Sequence, residues 1–181
     1  MTDSTSSRRM KIISLGDSLV GKSSLIKRYC ERRFDKRNAP TIGLDYGSIR
    51  TNVRNGNESM SVHINFYDFS GTKDYLDVRN EFYLDVSGVL LVYDVGNQRS
   101  FDTLDMWLKE AKLNGMFKTP NVSIILCANK IDTLQRLVSQ KTGAEYAKRN
   151  KFDAYFEVSA MDGTNVDAMF QSLFESALAL K

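Results

Sequence analysis

The chain has 181 residues, 42% of them hydrophobic and 26% charged, with two prolines and a net charge of +3. Such a composition excludes a disordered or fibrous chain and suits one domain that buries its own core without disulfide or metal staples. The charge is too small to argue for nucleic acid as a partner, and no apolar stretch is long enough to span a membrane.

Residues 1–9 are polar and rich in Ser and Thr, without the apolar core of a secretory signal. They are expected to form a disordered tail ahead of a domain covering residues 10–181. Neither an N-terminal Met-Gly nor a C-terminal Cys is present to carry a lipid anchor. The run Ile12-Ile13-Ser14-Leu15 predicts a short buried strand over residues 11–15, and residues 24–31, with Leu25, Ile26, Tyr29 and Cys30 on one face, predict a helix.

Between strand and helix, Gly16 to Ser23 reads Gly-Asp-Ser-Leu-Val-Gly-Lys-Ser and fits G-x-x-x-x-G-K-[ST] at every fixed position. Its residue types suit a phosphate. Glycines let Asp17, Ser18, Leu19, Val20 and Gly21 wrap an anion with main-chain N–H groups, and Ser23 and Ser24 open the helix whose N-terminus faces it. Lys22 would neutralise β- and γ-phosphates, and the Ser23 hydroxyl would ligate Mg²⁺. The alternative, a strand–turn–helix with a chance Gly-Lys-Ser, is disfavoured by these flanks.

Lys27, Arg28, Arg32, Arg33, Lys36 and Arg37 cluster after the motif; a solvated helix face and loop explain them, with a membrane or partner patch as the alternative. Cys30 and Cys127 sit in apolar patterns, which favours reduced core thiols over a disulfide and therefore a reducing, cytoplasmic compartment. Residues 34–41 read as a mobile connector. Residues 44–53 and 61–67 flank Asn55-Gly56, a hairpin turn signal, and the second arm alternates through Val62, Ile64 and Phe66, which leaves His63 pointing outward.

Continuous apolar runs over residues 88–94 and 122–128 predict strands buried on both faces. Leu104, Trp107, Leu108 and Ala111 mark a helix between them, with Trp107 in the core rather than serving as a ligand platform. A shorter helix over 142–148 and a strand over 154–158 follow. Val166, Met169, Phe170, Leu173, Phe174, Ala177 and Leu178 then repeat at helical spacing behind Thr164 and Asp167, a capping-box pattern. Strands alternating with helices predict an α/β sheet, mostly parallel, with ligand at the carboxyl ends of its strands.

Three further signatures fall at those ends: Asp68-Phe69-Ser70-Gly71, Asn129-Lys130-Ile131-Asp132 and Ser159-Ala160. With the phosphate loop, the set resembles the small GTPases of the Ras superfamily over nearly the whole chain. Pro40-Thr41-Ile42-Gly43-Leu44-Asp45-Tyr46 and Leu91-Val92-Tyr93-Asp94 are similar to the Rab branch. Asn80-Glu81-Phe82-Tyr83 and the unusual glycine motif look most like the Rab-like GTPases that carry a DnaJ domain, which would make this chain the GTPase module of a longer protein.

The resemblance implies a P-loop NTPase fold of the small G-protein type: six strands, one antiparallel, and about five helices. It implies GTP/GDP and Mg²⁺ as ligands, with Ser23, Thr41 and Asp68 around the metal and Lys22, Thr41, Gly71 and Thr72 around the reacting phosphate. Asp132 would be a buried acceptor for the guanine N1–H and exocyclic amine, which adenine cannot satisfy. Lys130 would lie along the base, Asn129 would tie the loops together, and Phe34 would stack edge-on. The loop of Ser159, Ala160 and Met161 would bring the Ala160 N–H to guanine O6.

Residues 36–45 and 71–83 would be switches ordered by the γ-phosphate. Partners implied are an exchange factor, an activating protein and effectors that read Ile42, Tyr46, Tyr67 and Phe82, unless some of these pack the hairpin instead. A monomer is expected, reaching membranes only through partners.

Two departures bear on catalysis. The family has Gln after its glycine motif to orient the attacking water, whereas this chain has Thr72, whose side chain is shorter and carries no amide. Leu19 stands in the cradle where many relatives have a small residue, and would crowd water or an incoming arginine finger. Met161, where Lys is common, matters less because main-chain groups hold the base there. Two other readings follow: a nucleotide-locked scaffold without useful catalysis, and a P-loop kinase or ATPase, which Asn129-Lys130-Ile131-Asp132 argues against.

Overall fold

The computed structural model describes residues 8–36, 39–118 and 121–179. Six strands form one sheet in the order β2-β3-β1-β4-β5-β6: β1 (Arg8–Leu15), β2 (Leu44–Asn55), β3 (Glu58–Phe69), β4 (Gly88–Asp94), β5 (Ser123–Asn129) and β6 (Ala154–Glu157). Only β2 runs antiparallel, along β3. The other five strands therefore end on the same edge, and every predicted signature lies at that edge.

Alternation within the buried strands sends side chains to two cores. Ile12, Phe66, Leu90, Val92, Ile125 and Cys127 face α1 (Lys22–Glu31) and α6 (Val166–Ala179). Ile13, Leu15, Leu91, Tyr93 and Leu126 face α4 (Leu104–Leu113) and α5 (Gln140–Arg149). In the first core Phe170 is fully buried, with its ring centroid 4.7 Å from that of Tyr29 and 5.6 Å from that of Phe66. Phe170→Ala removes this keystone and is expected to cost about 3–5 kcal/mol, read from the urea midpoint at unchanged slope.

Several expected boundaries move. Arg8 and Arg9, assigned to the tail, pair with Val62 and His63 as the first residues of β1, while residues 1–7 lie outside the described residues, as does Arg37. Hairpin pairing continues beyond the last apolar pair, Val53 with Met60, to Asn55 with Glu58. The two-residue turn has positive φ (63°) at Gly56, its first position, where a type II′ turn places glycine, so the register set there carries the ladder through polar residues.

Two short helices without an apolar repeat also form: α2 (Leu76–Asn80), after a 3₁₀ turn at Lys73–Tyr75, and α3 (Gln98–Asp102), which Asn97 caps by accepting from the Ser100 N–H. Thr103 separates α3 from α4. The expected capping box at α6 is not formed: the Thr164 N–H donates to Asp162, and Asp167 pairs with Arg32. Among the described residues no helix is long and apolar enough to cross a membrane.

Candidate functional site

β1 stops because Gly16 turns with φ 139° against β4, where a Cβ would stand 2.2 Å from the Val92 carbonyl oxygen. Gly21, with φ 99°, leaves its side-chain direction to Asn129, whose Nδ2 would lie 2.3 Å from a Cβ. Only glycine fits either place. Between them Leu19 adopts φ 67° with its side chain 69% exposed at the mouth of a cleft of about 290 Å³. A leucine held there stores roughly 1–2 kcal/mol of backbone strain.

Lys22 points inward and is buried, donating from Nζ to the Gly16 carbonyl (2.8 Å) and the Asp17 carbonyl (3.0 Å). Burial pushes its pKa down to about 8 against the opposing pull of Asp68 and Asp17, so the cleft carries a poorly solvated cation suited to phosphate. At the next position the Ser23 hydroxyl donates to Asp68 Oδ2 and lies 2.9 Å from Thr41 Oγ1, which is itself 3.5 Å from Asp68 Oδ2. Ser14 holds the other Asp68 oxygen at 2.6 Å. The two hydroxyls and the carboxylate present only hard oxygen donors, the chemistry Mg²⁺ requires, so these residues fit that ion.

At the end of the cleft expected to hold the base, Asn129 is fully buried and joins the loops, Nδ2 donating to the Val20 carbonyl at 2.8 Å and Oδ1 accepting from the Ala160 N–H at 3.2 Å. The amide in that second bond is the one expected at guanine O6. Lys130, with φ 65°, lines the cleft while its ammonium pairs with Asp94 at 2.6 Å. Asp132 also lines the cleft, but it is exposed rather than buried, so any desolvation of its carboxylate has to come from the base that covers it.

Ser18, Gly21, Ser24, Phe34, Gly71, Ala160 and Met161, all expected, line the cleft too, and Asp35, Lys36, Ala39 and Pro40 complete the wall. Five expected residues do not line it, and one of them, Asp68, is buried and reaches it through the Ser23 hydroxyl. Val20 and Ser159 are buried behind it, and Asp17 turns its carboxylate away to accept from Thr103 Oγ1 (2.9 Å) and Trp107 Nε1 (2.8 Å). Thr72 faces Ser70, hydroxyl to hydroxyl at 3.3 Å. The supposed effector surface divides: Ile42 and Tyr46 are exposed, whereas Tyr67 is half-buried, with ring centroids 5.3 Å from Tyr46 and 5.5 Å from Phe82.

Other residues at the site were not expected. Arg28, from the basic cluster, donates to the carbonyls of Ala160 (2.9 Å) and Met161 and lies 5.9 Å from the Phe34 ring centroid, bracing the base-side loop. Arg79 is 1% exposed and forks onto Glu110, Nε to Oε1 at 2.8 Å and Nη2 to Oε2 at 3.0 Å. Its Nη1 donates to the carbonyls of Ser70 (3.1 Å) and Thr72 (2.5 Å), and its guanidinium lies 4.8 Å from the Trp107 ring centroid. Thr103, Trp107 and Glu110 share a helical spacing of three to four, the one sequence signal that a polar stripe of this helix faces the phosphate loop.

The chain is similar to proteins named DnaJ homolog subfamily C member 27. It is 45% identical over 173 residues to the Danio rerio protein, 44% over 177 to that of Homo sapiens, and 40% over 181 to the 27-A form of Xenopus laevis. These matches cover 94%, 96% and 98% of the chain but 62%, 63% and 64% of the relatives, so the chain spans somewhat less than two thirds of their length. The sequence pattern of the Ras family matches residues 11–179, and with the phosphate loop, the oxygen trio and the Asn129 tie in place, the chain belongs to that family of small GTPases.

Proposed function

We propose that the chain is a GTP-binding switch that hydrolyses GTP slowly with Mg²⁺ and serves Rab-like signalling or trafficking through effectors, an exchange factor and an activating protein. The observation that carries this reading is the convergence of Ser23, Thr41 and Asp68 beside buried Lys22, with Asn129, Lys130 and Asp132 at the other end of one cleft. Bound Mg²⁺ would offset phosphate charge. Lys22 adds a second cation from the chain, and Thr41 links the 36–45 segment to the same phosphate, of which residues 37 and 38 lie outside the described residues.

Hydrolysis needs a water in line with the γ-phosphorus; its oxygen bonds to phosphorus, the bond to the β-phosphate oxygen breaks, and GDP and phosphate leave. Placement of that water is the weak step. The Thr72 hydroxyl lies beside Ser70 rather than in the cleft, which also supports the second reading, a nucleotide-locked scaffold without useful turnover.

Single-turnover hydrolysis separates the two. The native rate is expected below roughly 3–5 × 10⁻⁴ s⁻¹, the intrinsic rate of a glutamine-bearing relative, and Thr72→Gln should raise it without altering GTP affinity. Equal rates in native and variant protein would show that Thr72 is not the defect. A native rate of zero, unmoved by the variant, favours the scaffold.

A further inference from the structure

Arg79 is the largest of the fully buried side chains among the described residues, yet it belongs to a five-residue helix, α2, with no other buried residue. A guanidinium does not shed its proton, and its burial is costly unless its donors are met. Glu110 meets two of them and Trp107 covers the face, while Nη1 bridges two main-chain carbonyls that lie on either side of Gly71. Glu110 is in turn fixed by the Tyr83 hydroxyl at 2.7 Å.

We propose that Arg79 is a positioning residue which, by holding the carbonyls of Ser70 and Thr72, aims the Gly71 N–H at the γ-phosphate and so sets the relative affinity for GTP over GDP. This deepens the switch reading above and rests on it. The peptide group joining Ser70 to Gly71 is planar and trans, so its C=O and N–H point in opposite directions. Arg79 holds that carbonyl from the α4 side, which turns the N–H the other way, and the bond to the Thr72 carbonyl pins the Thr72–Lys73 peptide, so the chain is held on both sides of Gly71. With no glutamine at residue 72, recognition of the γ-phosphate from this strand end depends on the main chain, and hence on what fixes it. Lysine cannot substitute, because a compact ammonium has no fork with which to hold a carboxylate and two carbonyls together.

The test replaces the polar cluster by apolar residues of similar size, Arg79→Met with Tyr83→Phe and Glu110→Leu, a kind of exchange that often leaves stability unchanged or raised. Dissociation constants for GDP and for a non-hydrolysable GTP analogue are measured by displacement of fluorescent GDP. GDP affinity is expected to stay within about twofold, while analogue affinity falls about 10- to 100-fold, the loss of one charge-assisted hydrogen bond. Arg79→Lys, which keeps the charge beside Glu110, should shift the ratio in the same direction and serves alone if the triple variant does not fold. A folded variant of either kind with an unchanged ratio overturns the proposal and leaves Arg79 a structural residue. Native protein that binds neither nucleotide overturns the switch reading itself, and this inference with it.

Discussion

Asp132→Asn is expected to exchange guanine preference for xanthine preference. A carboxylate at this end of the cleft matches the two donors on the guanine edge, N1–H and the exocyclic amine, whereas xanthine replaces the amine by a carbonyl that an amide can satisfy. Hydrogen bonds to a charged group contribute about 1.5–3 kcal/mol each. The amide keeps one neutral acceptor for N1–H but sets its NH₂ against the exocyclic amine, so losing one bond, weakening the other and bringing two donors face to face should weaken GDP by roughly 10²- to 10⁴-fold. The exposure of Asp132 places the value toward the lower end, because water competes for the carboxylate until the base covers it. The measurement is competition of GDP, XDP and ADP against fluorescent GDP in native and variant protein. Native protein that takes ADP as well as GDP would remove Asp132 from its assigned role.

Gly71→Ala should nearly abolish hydrolysis while GDP binding persists. A Cβ at residue 71 would stand 2.1 Å from the Ser18 nitrogen and 2.3 Å from the Asp17 carbonyl carbon, both main-chain atoms that cannot swing aside. Relief has to come from the 71–83 segment, which is the more exposed partner, and its withdrawal takes the Gly71 N–H away from the γ-phosphate. Removing one preorganised donor costs about 10²–10³-fold in turnover, and GDP, without a γ-phosphate, should not register the loss beyond about threefold. Single-turnover rates and GDP release rates read the two halves of the expectation. Hydrolysis within tenfold of native would mean that the γ-phosphate is recognised without this contact.

The parts of the molecule that could be read from its residues are those where a letter is itself a geometric demand. Gly16 and Gly21 mark positive φ with no room for a Cβ, Gly56 marks the hairpin, and the apolar runs of β4 and β5 follow from burial on both faces. The spacing of α6 declares its buried stripe in the same way. What could not be read depends on partners far away along the chain. Nothing periodic distinguishes Arg79 from a solvated arginine, because its burial is settled by Glu110, 31 residues later. Asp17 similarly looks like one more cradle residue until Trp107, 90 residues on, takes its carboxylate. Arg28 belongs by composition to a basic surface and by geometry to the base-side loop, since two carbonyls lie within its reach.

Trp107 is the single tryptophan of the chain. Its indole nitrogen is bonded to the phosphate loop through Asp17, and its ring face is covered by the guanidinium that holds Ser70 and Thr72. Intrinsic emission excited at the indole band therefore originates at one point, the joint between the phosphate loop and the 71–83 segment. The protein carries a label-free optical reporter of that joint, with no second fluorophore of its kind to dilute the signal.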